Sequence, residues 1–499
     1  MNLSDAISHH ARVRPDYPAL IEGARTLTYA MLEGEIEATA CGLAEAGIRP
    51  GHRVGICLKE RPEFLIALFA VARVWGVAVP LDWRAPDAER RLITDALGMR
   101  LIICEPGSAG SSSHAIAWSA LRSMSGKRDA RATRDEPDGN AAFLIALSSG
   151  TTGQPKGLAV SHLGQLLRYV RAQADLRFDA DTRYLSSMPL FHASGRNRCI
   201  GCLIGGHTVI MHPPLFRADE LVEAAVRYDA TDLQMVPATA RSLLQLAQSS
   251  GPLFPRVRRL VVSAGPFGAD DRVRALRQLS PNLYISYGAS GYSTIALLDP
   301  IDVATHAESV GRPTFLTEVE MVNDSGQRVA AGDEGRLRCR GPGIASEIIG
   351  VHANAEESEF LREGWYYTGD FGRLSESGFI HLTGRVSNRI RRGGSSIAAE
   401  EVERALCEHP LVIEAAVVGR PSREMGQDVL AFVVLRSGLK IEELEAHCRR
   451  RLARAKLPSE FHIVQSLPRN AAGRVMRRTL LQSVMPHEAI EPHRLDEYR

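Results

Sequence analysis

Short apolar runs that read as strands alternate with helical patterns through the first three-quarters of this chain. HRVGICL is followed by a helix at 62–75 and then by GVAVPL, and LIICE follows the helical DAERRLITDALG. HTVIM, ATDLQMVP, VRRLVVSAG and LYISYG come later, each separated by a helical pattern. A strand that returns to its sheet through a helix lies parallel to its predecessor, so the alternation predicts an α/β fold with doubly wound sheets. The longest apolar run, FLIALFAVARVWGVAVPL at 64–81, is interrupted by Arg73 and broken at Gly76. It reads as a buried helix leading into a strand, not as a membrane span.

From about residue 315 the texture turns to strands and turns, in EVEMVNDSGQRV, EGRLRCRG, WYYTGDFGRL and FIHLTGR. That predicts a small antiparallel β-barrel unit within a large N-terminal domain. After GRVSNRIRRGG the chain resumes as a compact α+β module, of about a hundred residues. Residues 105–140, rich in Ser, Gly, Asp and Arg, read as a surface connection. The 499 residues exceed what one core organises, since domains run to about 100–200 residues each.

Sixty basic residues against 58 acidic ones leave a net charge of +2. This is no electrostatic footprint for nucleic acid or an anionic membrane, and neither is expected as a partner. The opening MNLSDAISHHARVRPDYP has no apolar region of the kind a secretory signal needs. Of the eight cysteines only Cys199 and Cys202 form a CxxC pair, with no second pair or nearby His to complete a zinc site. Packing on an apolar helix explains them better than metal or redox chemistry. A reducing cytoplasm fits this usage.

The strongest local signal is ALSSGTTGQPKG at 146–157. Glycines let backbone amides curl round an anion, and hydroxyls with a terminal ammonium complete a phosphate cradle. The candidates are Ser148, Ser149, Gly150, Thr151, Thr152 and Lys156. The spacing differs from the GxxxxGK[ST] nucleotide loop.

With that stretch the chain resembles the adenylate-forming superfamily of acyl-CoA ligases, luciferases and peptide-synthetase adenylation domains. Eight motifs come in the family's order: SSGTTGQPKG, PLFHASG, SAGPFG, YGASG, YYTGD, GRVSNRI, RRGGSSIAAEEVE and LPRNAAGR. The resemblance implies an N-terminal domain over 1–384, a hinge at 385–390 and a mobile C-terminal domain over 391–499. It implies two half-reactions: acyl-adenylate and pyrophosphate from a carboxylic acid and Mg-ATP, then attack by a thiol with release of AMP.

Site residues carry over by position. Asp370 matches the carboxylate that holds both ribose hydroxyls, and Arg385 the cation near the ribose and phosphate. Ser263, Ala264, Gly265 and Pro266 match the loop along adenine. Tyr287, Gly288, Ala289 and Ser290 match the stacking tyrosine and its neighbours. His192, at the floor of the acyl pocket, stands where adenylation domains for amino acids usually place the Asp that binds the amino group, which disfavours an amino-acid substrate. Gly265, Gly288 and Gly291 line the same acyl pocket. Arg391, Arg392, Gly393, Gly394 and Ser395 match the channel for the pantetheine of coenzyme A. Whether the thiol is CoA or a carrier protein stays open.

Four departures stand out. Arg474 replaces the family's catalytic lysine. Gly291 replaces its acidic magnesium ligand, leaving no residue assigned to metal. Asn388 replaces the hinge aspartate, and Ala399 a proline. A guanidinium is larger and forked where an ammonium is a point charge. Loss of one preorganised charge contact costs about 3–4 kcal/mol of transition-state stabilisation. Arg474 and Gly291 both bear on pyrophosphate release and neither on thiol attack. The expectation is therefore an enzyme that converts a supplied acyl-adenylate and CoA to a thioester, with impaired adenylation. A separate adenylating enzyme would be its partner, and ATP and magnesium would be needed only if adenylation is retained. The pattern is similar to the thioester-forming ligase of platensimycin-type diterpenoid biosynthesis. The alternatives are a complete ATP-dependent carboxylic acid–CoA ligase, and a non-catalytic relative that binds an acid or its adenylate.

Overall fold

The computed structural model describes residues 1–106, 114–124, 137–148, 156–214, 216–247, 251–349, 361–436, 438–469 and 475–484. Two compact units emerge. The first comprises 1–332, 337–368 and 374–381; the second comprises 333–336, 369–373 and 382–499.

The first unit is α/β with two large sheets, as the alternation predicts. Among the described residues the larger sheet has nine strands. Its centre is parallel: Pro18–Glu22, Thr208–Met211, Arg183–Ser186, Asp232–Met235, Arg259–Ser263 and Leu283–Ala289 lie side by side in that order. Antiparallel strands close both margins, Arg25–Thr28 at one and Ser293–Leu298 with Arg312–Pro313 at the other. The second sheet sets Ala142–Ser148, Val77–Pro80, Arg53–Cys57, Leu101–Cys104 and Ala115–Ala117 parallel. Lys156–Ser161 and Glu347–Ile349 continue it antiparallel. The strand Ala115–Ala117 and the helix Trp118–Ser123 fall where sequence suggested only a surface connection. A three-residue AIA run is too short to stand out by periodicity, but it pairs with a preformed edge.

The helix Pro62–Arg73 is buried from Phe64 to Arg73, and its side chains join both sheets in one apolar cluster. Arg73, which breaks the apolar run, is itself buried; its guanidinium donates to Glu37 at 2.9 Å and to Glu33 at 2.7 Å. No helix among the described residues is long and apolar enough to cross a membrane. Cys199 and Cys202 are both buried in the helix Ala193–Ile204, and burial pushes the Cys199 thiol up to about 12.

Where a small β-barrel unit is expected, five strands form a sheet: Glu318–Val322, Glu334–Arg340, Trp365–Leu374 and Leu361–Arg362, with Ile380–Arg385 also on Trp365–Leu374. The second unit contains a five-stranded sheet built around Gly426–Leu435 and Val412–Ser422. Its apolar face packs on the helices Ala399–Cys407 and Ile441–Arg449.

One buried histidine ties the N-terminus to the core. His162 begins the helix His162–Leu176, whose N-terminus Ser161 caps by accepting from the Gly164 amide at 3.0 Å. His162 Nδ1 accepts from the Leu3 amide at 3.0 Å, and its ring lies against Trp75 and Phe143. Burial lowers its pKa from the ordinary 6.5 to about 4. The unfolded chain therefore binds this proton first. The contribution is complete above about pH 6.5 and is lost as the pH falls towards 4, on the order of 3 kcal/mol in all. Urea unfolding at pH 7 and at pH 4.5 should differ by much of that amount, and His162→Gln should flatten the difference. An unchanged pH slope in the variant would assign the loss elsewhere.

Candidate active site

Of four neighbouring parallel strands of the large sheet, three lead at their C-terminal ends to expected site residues. Across the sheet Ser186 stands beside Gln234, Gln234 beside Val261, and Ser263 beside Ser286. Beyond Ser186 the chain runs to His192, beyond Ser263 to Pro266, and beyond Ser286 to Ser290. The crevice outside the carboxyl ends of such strands is the general ligand position of open α/β sheets.

Local geometry shows why these residue types stand here. Ser263 Oγ accepts from Gln234 Nε2 at 2.8 Å, which fixes the strand end. Ala264 then takes a left-handed φ of 70°, a strained conformation for alanine that turns the chain sharply out of the sheet. Gly265 follows, with Pro266 beyond it. Tyr287 is buried on the strand Leu283–Ala289, whose register with Ser293–Leu298 shifts between Tyr287 and Gly288. A Cβ on Gly288 would lie 2.2 Å from the Ser293 carbonyl oxygen, so only glycine fits there. Ala289 ends the strand, and Ser290 and Gly291 follow in the turn. His192 sits at the N-cap of the helix Ala193–Ile204, its ring 4.4 Å from that of Phe191.

Gly291 is the departure that the structure explains most directly. Its carbonyl oxygen accepts from the Ala345 amide at 2.6 Å and from Arg168 Nη2 at 3.1 Å. A Cβ at 291 would meet the Tyr366 ring at 2.4 Å. The space into which a glutamate would leave the backbone is filled by an aromatic ring.

Ser148 pairs with Lys156 where the strands Ala142–Ser148 and Lys156–Ser161 run antiparallel. Ser149, Gly150, Thr151 and Thr152 lie outside the described residues, as does Arg474. Arg469 and Val475, on either side of 470–474, form an antiparallel bridge.

The second unit holds the other expected groups. Asp370, buried on Trp365–Leu374, pairs with Arg385 through Nε and Oδ1 at 2.9 Å. The pair joins the two residues assigned to the ribose and phosphate. Gly393 and Gly394, both at positive φ (54° and 80°), form the two-residue turn between Arg389–Arg392 and Ser395–Ala398. Two positive φ values in a hairpin of this length are the type I′ pattern that glycine serves. Arg391, Gly393, Gly394 and Ser395 are exposed around that turn. Arg392 instead turns inward, with Nη1 donating to Leu457 O at 2.9 Å and Ala455 O at 3.2 Å. It braces the hairpin rather than extending from it.

The hinge expected at 385–390 contains a short 3₁₀ turn, Val386–Asn388. Asn388 Nδ2 donates to Glu400 Oε1 at 2.5 Å. An aspartate at 388 would set two carboxylates in contact. Asn388→Asp should therefore loosen this turn by about 1–3 kcal/mol, the cost of a lost bond to a charged group. Thermal unfolding at pH 7 should show the loss and at pH 5 a smaller one, while equal stability at both would refute the contact. Ala399 opens the helix Ala399–Cys407 without the expected proline.

Sequence reasoning missed Arg168 and Arg196. Both lie nearly fully buried on helices at this end of the sheet. The signal was present as charged residues within otherwise apolar or small helical faces. Surface helices carry such charges so often that the pattern alone does not single them out.

Residues 7–348 match the AMP-binding enzyme family, and residues 401–474 match the AMP-binding enzyme C-terminal domain. The chain belongs to the AMP-binding enzyme family, in its acyl-CoA synthetase branch. A feruloyl-CoA synthase of an Amycolatopsis species is 30% identical over 480 residues, covering 94% of this chain and 96% of that one. The indoleacetate–CoA ligase of Aromatoleum aromaticum is 30% identical over 511 residues, covering 97% and 98%. The o-succinylbenzoate CoA synthetase of Bacillus subtilis, solved with its acyl-adenylate intermediate, superposes with a TM-score of 0.85 at 27% identity over 95% of this chain and 97% of that one. The same synthetase has been solved with ATP and magnesium and with AMP.

Proposed function

We propose that this protein is a complete ATP-dependent carboxylic acid–CoA ligase. It would form an acyl-adenylate from the acid and Mg-ATP, then transfer the acyl group to CoA with release of AMP. The observation that carries this reading is likeness along nearly the whole chain to a synthetase solved with ATP, with acyl-adenylate and with AMP. The expectation of impaired adenylation receives no support from these relatives, which are CoA ligases.

On this reading Asp370 and Arg385 hold the ribose side of the nucleotide, and Ser263–Pro266 with Tyr287–Ser290 flank the base. Ser148–Thr152 and Lys156 serve the phosphates, and Arg474 supplies the positive charge that lysine supplies in the family. His192, Gly265, Gly288 and Gly291 bound the acyl group, while Arg391–Ser395 guide the pantetheine. Position 291 offers no carboxylate, and among the described residues no group of three His, Cys, Asp or Glu could hold a metal ion. Magnesium would enter as part of the Mg-ATP substrate.

A second reading keeps the thioester-forming half-reaction alone, with the adenylate supplied by a separate enzyme as in the platensimycin-type resemblance. The filling of the glutamate's space by Tyr366 favours it. One measurement divides the two. Pyrophosphate release from a panel of carboxylic acids with Mg-ATP is compared with AMP release from the matching synthetic adenylates and CoA. Comparable rates support the complete ligase. Fast AMP release with pyrophosphate release at background would sink it. Arg474→Lys belongs in the same assay, since a gain confined to pyrophosphate release would place residue 474 at that step.

A further inference from the structure

Two buried guanidinium groups lie behind segments expected to bound the acyl pocket, with no carboxylate beside them among the described residues. Arg168, on His162–Leu176, is 5% exposed, and Arg196, in the first turn of Ala193–Ile204, is 1% exposed. Arg168 reaches Gly343 O at 2.7 Å through Nε and Gly291 O at 3.1 Å through Nη2. Arg196 spends only Nη1, on Leu190 O at 3.1 Å and Phe191 O at 2.8 Å. Its buried Nε has no hydrogen-bond partner among the described residues. Three of the four contacted carbonyls, those of Gly291, Leu190 and Phe191, belong to the segments that carry Gly291 and His192; the fourth is that of Gly343.

Arg171, one turn along from Arg168, shows what a structural buried arginine looks like. Its three nitrogens bond to Phe315 O, Pro342 O, Thr294 O, Thr314 Oγ1 and Thr317 Oγ1. Arg168 and Arg196 are not braced in that way. They are near enough to repel each other, and burial with neighbouring cations lowers Arg168 to about 9, while burial lowers Arg196 to about 10. A desolvated cation without a counter-ion is costly, and an anion brought to it relieves that cost.

We propose that Arg196 and Arg168, set behind the segments of His192 and Gly291 with no carboxylate beside them among the described residues, select an acyl substrate with a second anionic group: a dicarboxylic acid. The proposal rests on the ligase reading for the identity of the pocket. One carboxylate reacts; the other is drawn to the unspent donors of Arg196, with Arg168 adding charge from beneath the turn at 291. An arginine can take a carboxylate in two parallel bonds, which makes the preference geometric as well as electrostatic.

The test uses aliphatic and aryl dicarboxylic acids of graded length, each against its own monomethyl ester. Acyl-CoA formation gives kcat/KM, and calorimetry gives acid binding without turnover. For the best-fitting length the diacid should exceed its ester by about 10- to 100-fold, the range of one charge-assisted contact. The ratio should fall towards one in Arg196→Met and persist in Arg196→Lys, which keeps the charge. If the Met variant does not fold, the wild-type ratio and the Lys variant still decide. Acyl-CoA formation with no diacid preference at any length, or a preference untouched by Arg196→Met, overturns the proposal and leaves the ligase reading standing. Diacid-selective binding without turnover or pyrophosphate release overturns the ligase reading and leaves the anion site standing. No binding and no turnover with any diacid overturns the proposal, while the ligase reading is decided by the panel of carboxylic acids.

Discussion

Asp370→Ala should weaken binding of the acyl-adenylate by about 10²- to 10⁴-fold, since two hydrogen bonds to a charged acceptor contribute about 1.5–3 kcal/mol each. Both chemical steps should suffer, because ribose contacts serve the adenylate whether it is being made or consumed. The variant also strips Arg385 of the carboxylate it holds at 2.9 Å. Asp370→Asn is the informative companion: it keeps one acceptor oxygen, loses the charge, and should fall between wild type and alanine. The measurement is equilibrium binding of a non-hydrolysable adenylate mimic, with thermal unfolding alongside to separate folding from binding. Wild-type affinity in a folded Asp370→Ala would take this residue out of the nucleotide site.

Gly291→Glu is the substitution that restores the family's acidic residue, and here it should fail on its own. The first side-chain carbon would lie 2.4 Å from the ring of buried Tyr366, so ring or backbone must move. Overpacking of this kind costs about 1–3 kcal/mol. The backbone has little freedom to yield, since the Gly291 carbonyl is held by both Ala345 and Arg168. A double-mutant cycle with Tyr366→Ala isolates the clash. The cost of Gly291→Glu should shrink by about 1–3 kcal/mol in the Tyr366→Ala background, because residues in contact are not additive. Pyrophosphate release should gain from the glutamate only in that background. Strict additivity, or a single Gly291→Glu with wild-type stability, would mean the ring is no obstacle.

The alternation of apolar runs made the parallel sheets legible, because burial on both faces writes a near-continuous hydrophobic stretch into each strand. Asp232–Met235, Arg259–Ser263 and Leu283–Ala289 were all visible that way. Pro18–Glu22 and Arg25–Thr28 were not: the first finds its parallel partner, Thr208–Met211, far along the chain, and the second pairs with the first. Gly393 and Gly394 read in the sequence as permitting close backbone approach; their positive φ in a two-residue turn is what the structure adds. The meaning of Gly291 was not readable, because a missing side chain does not reveal what fills its place. That required the position of Tyr366, 75 residues away in sequence. Arg168 and Arg196 were hidden for a related reason: charge is visible in a sequence, but burial is a property of three-dimensional neighbours.

The pairing of Pro18–Glu22 with Thr208–Met211 bears on how the protein is made. Thr208 Oγ1 donates to the Pro18 carbonyl across 190 residues of chain. A ribosome adding about 5–20 residues per second delivers the partner roughly 10–40 s after the first strand emerges. Leu20, completely buried once Val209 is beside it, spends that interval without its neighbour. Nascent chains of this protein should therefore be most prone to misassociation before residue 211 has left the exit tunnel, and a pause placed upstream of that point should lower the soluble yield more than one placed after it.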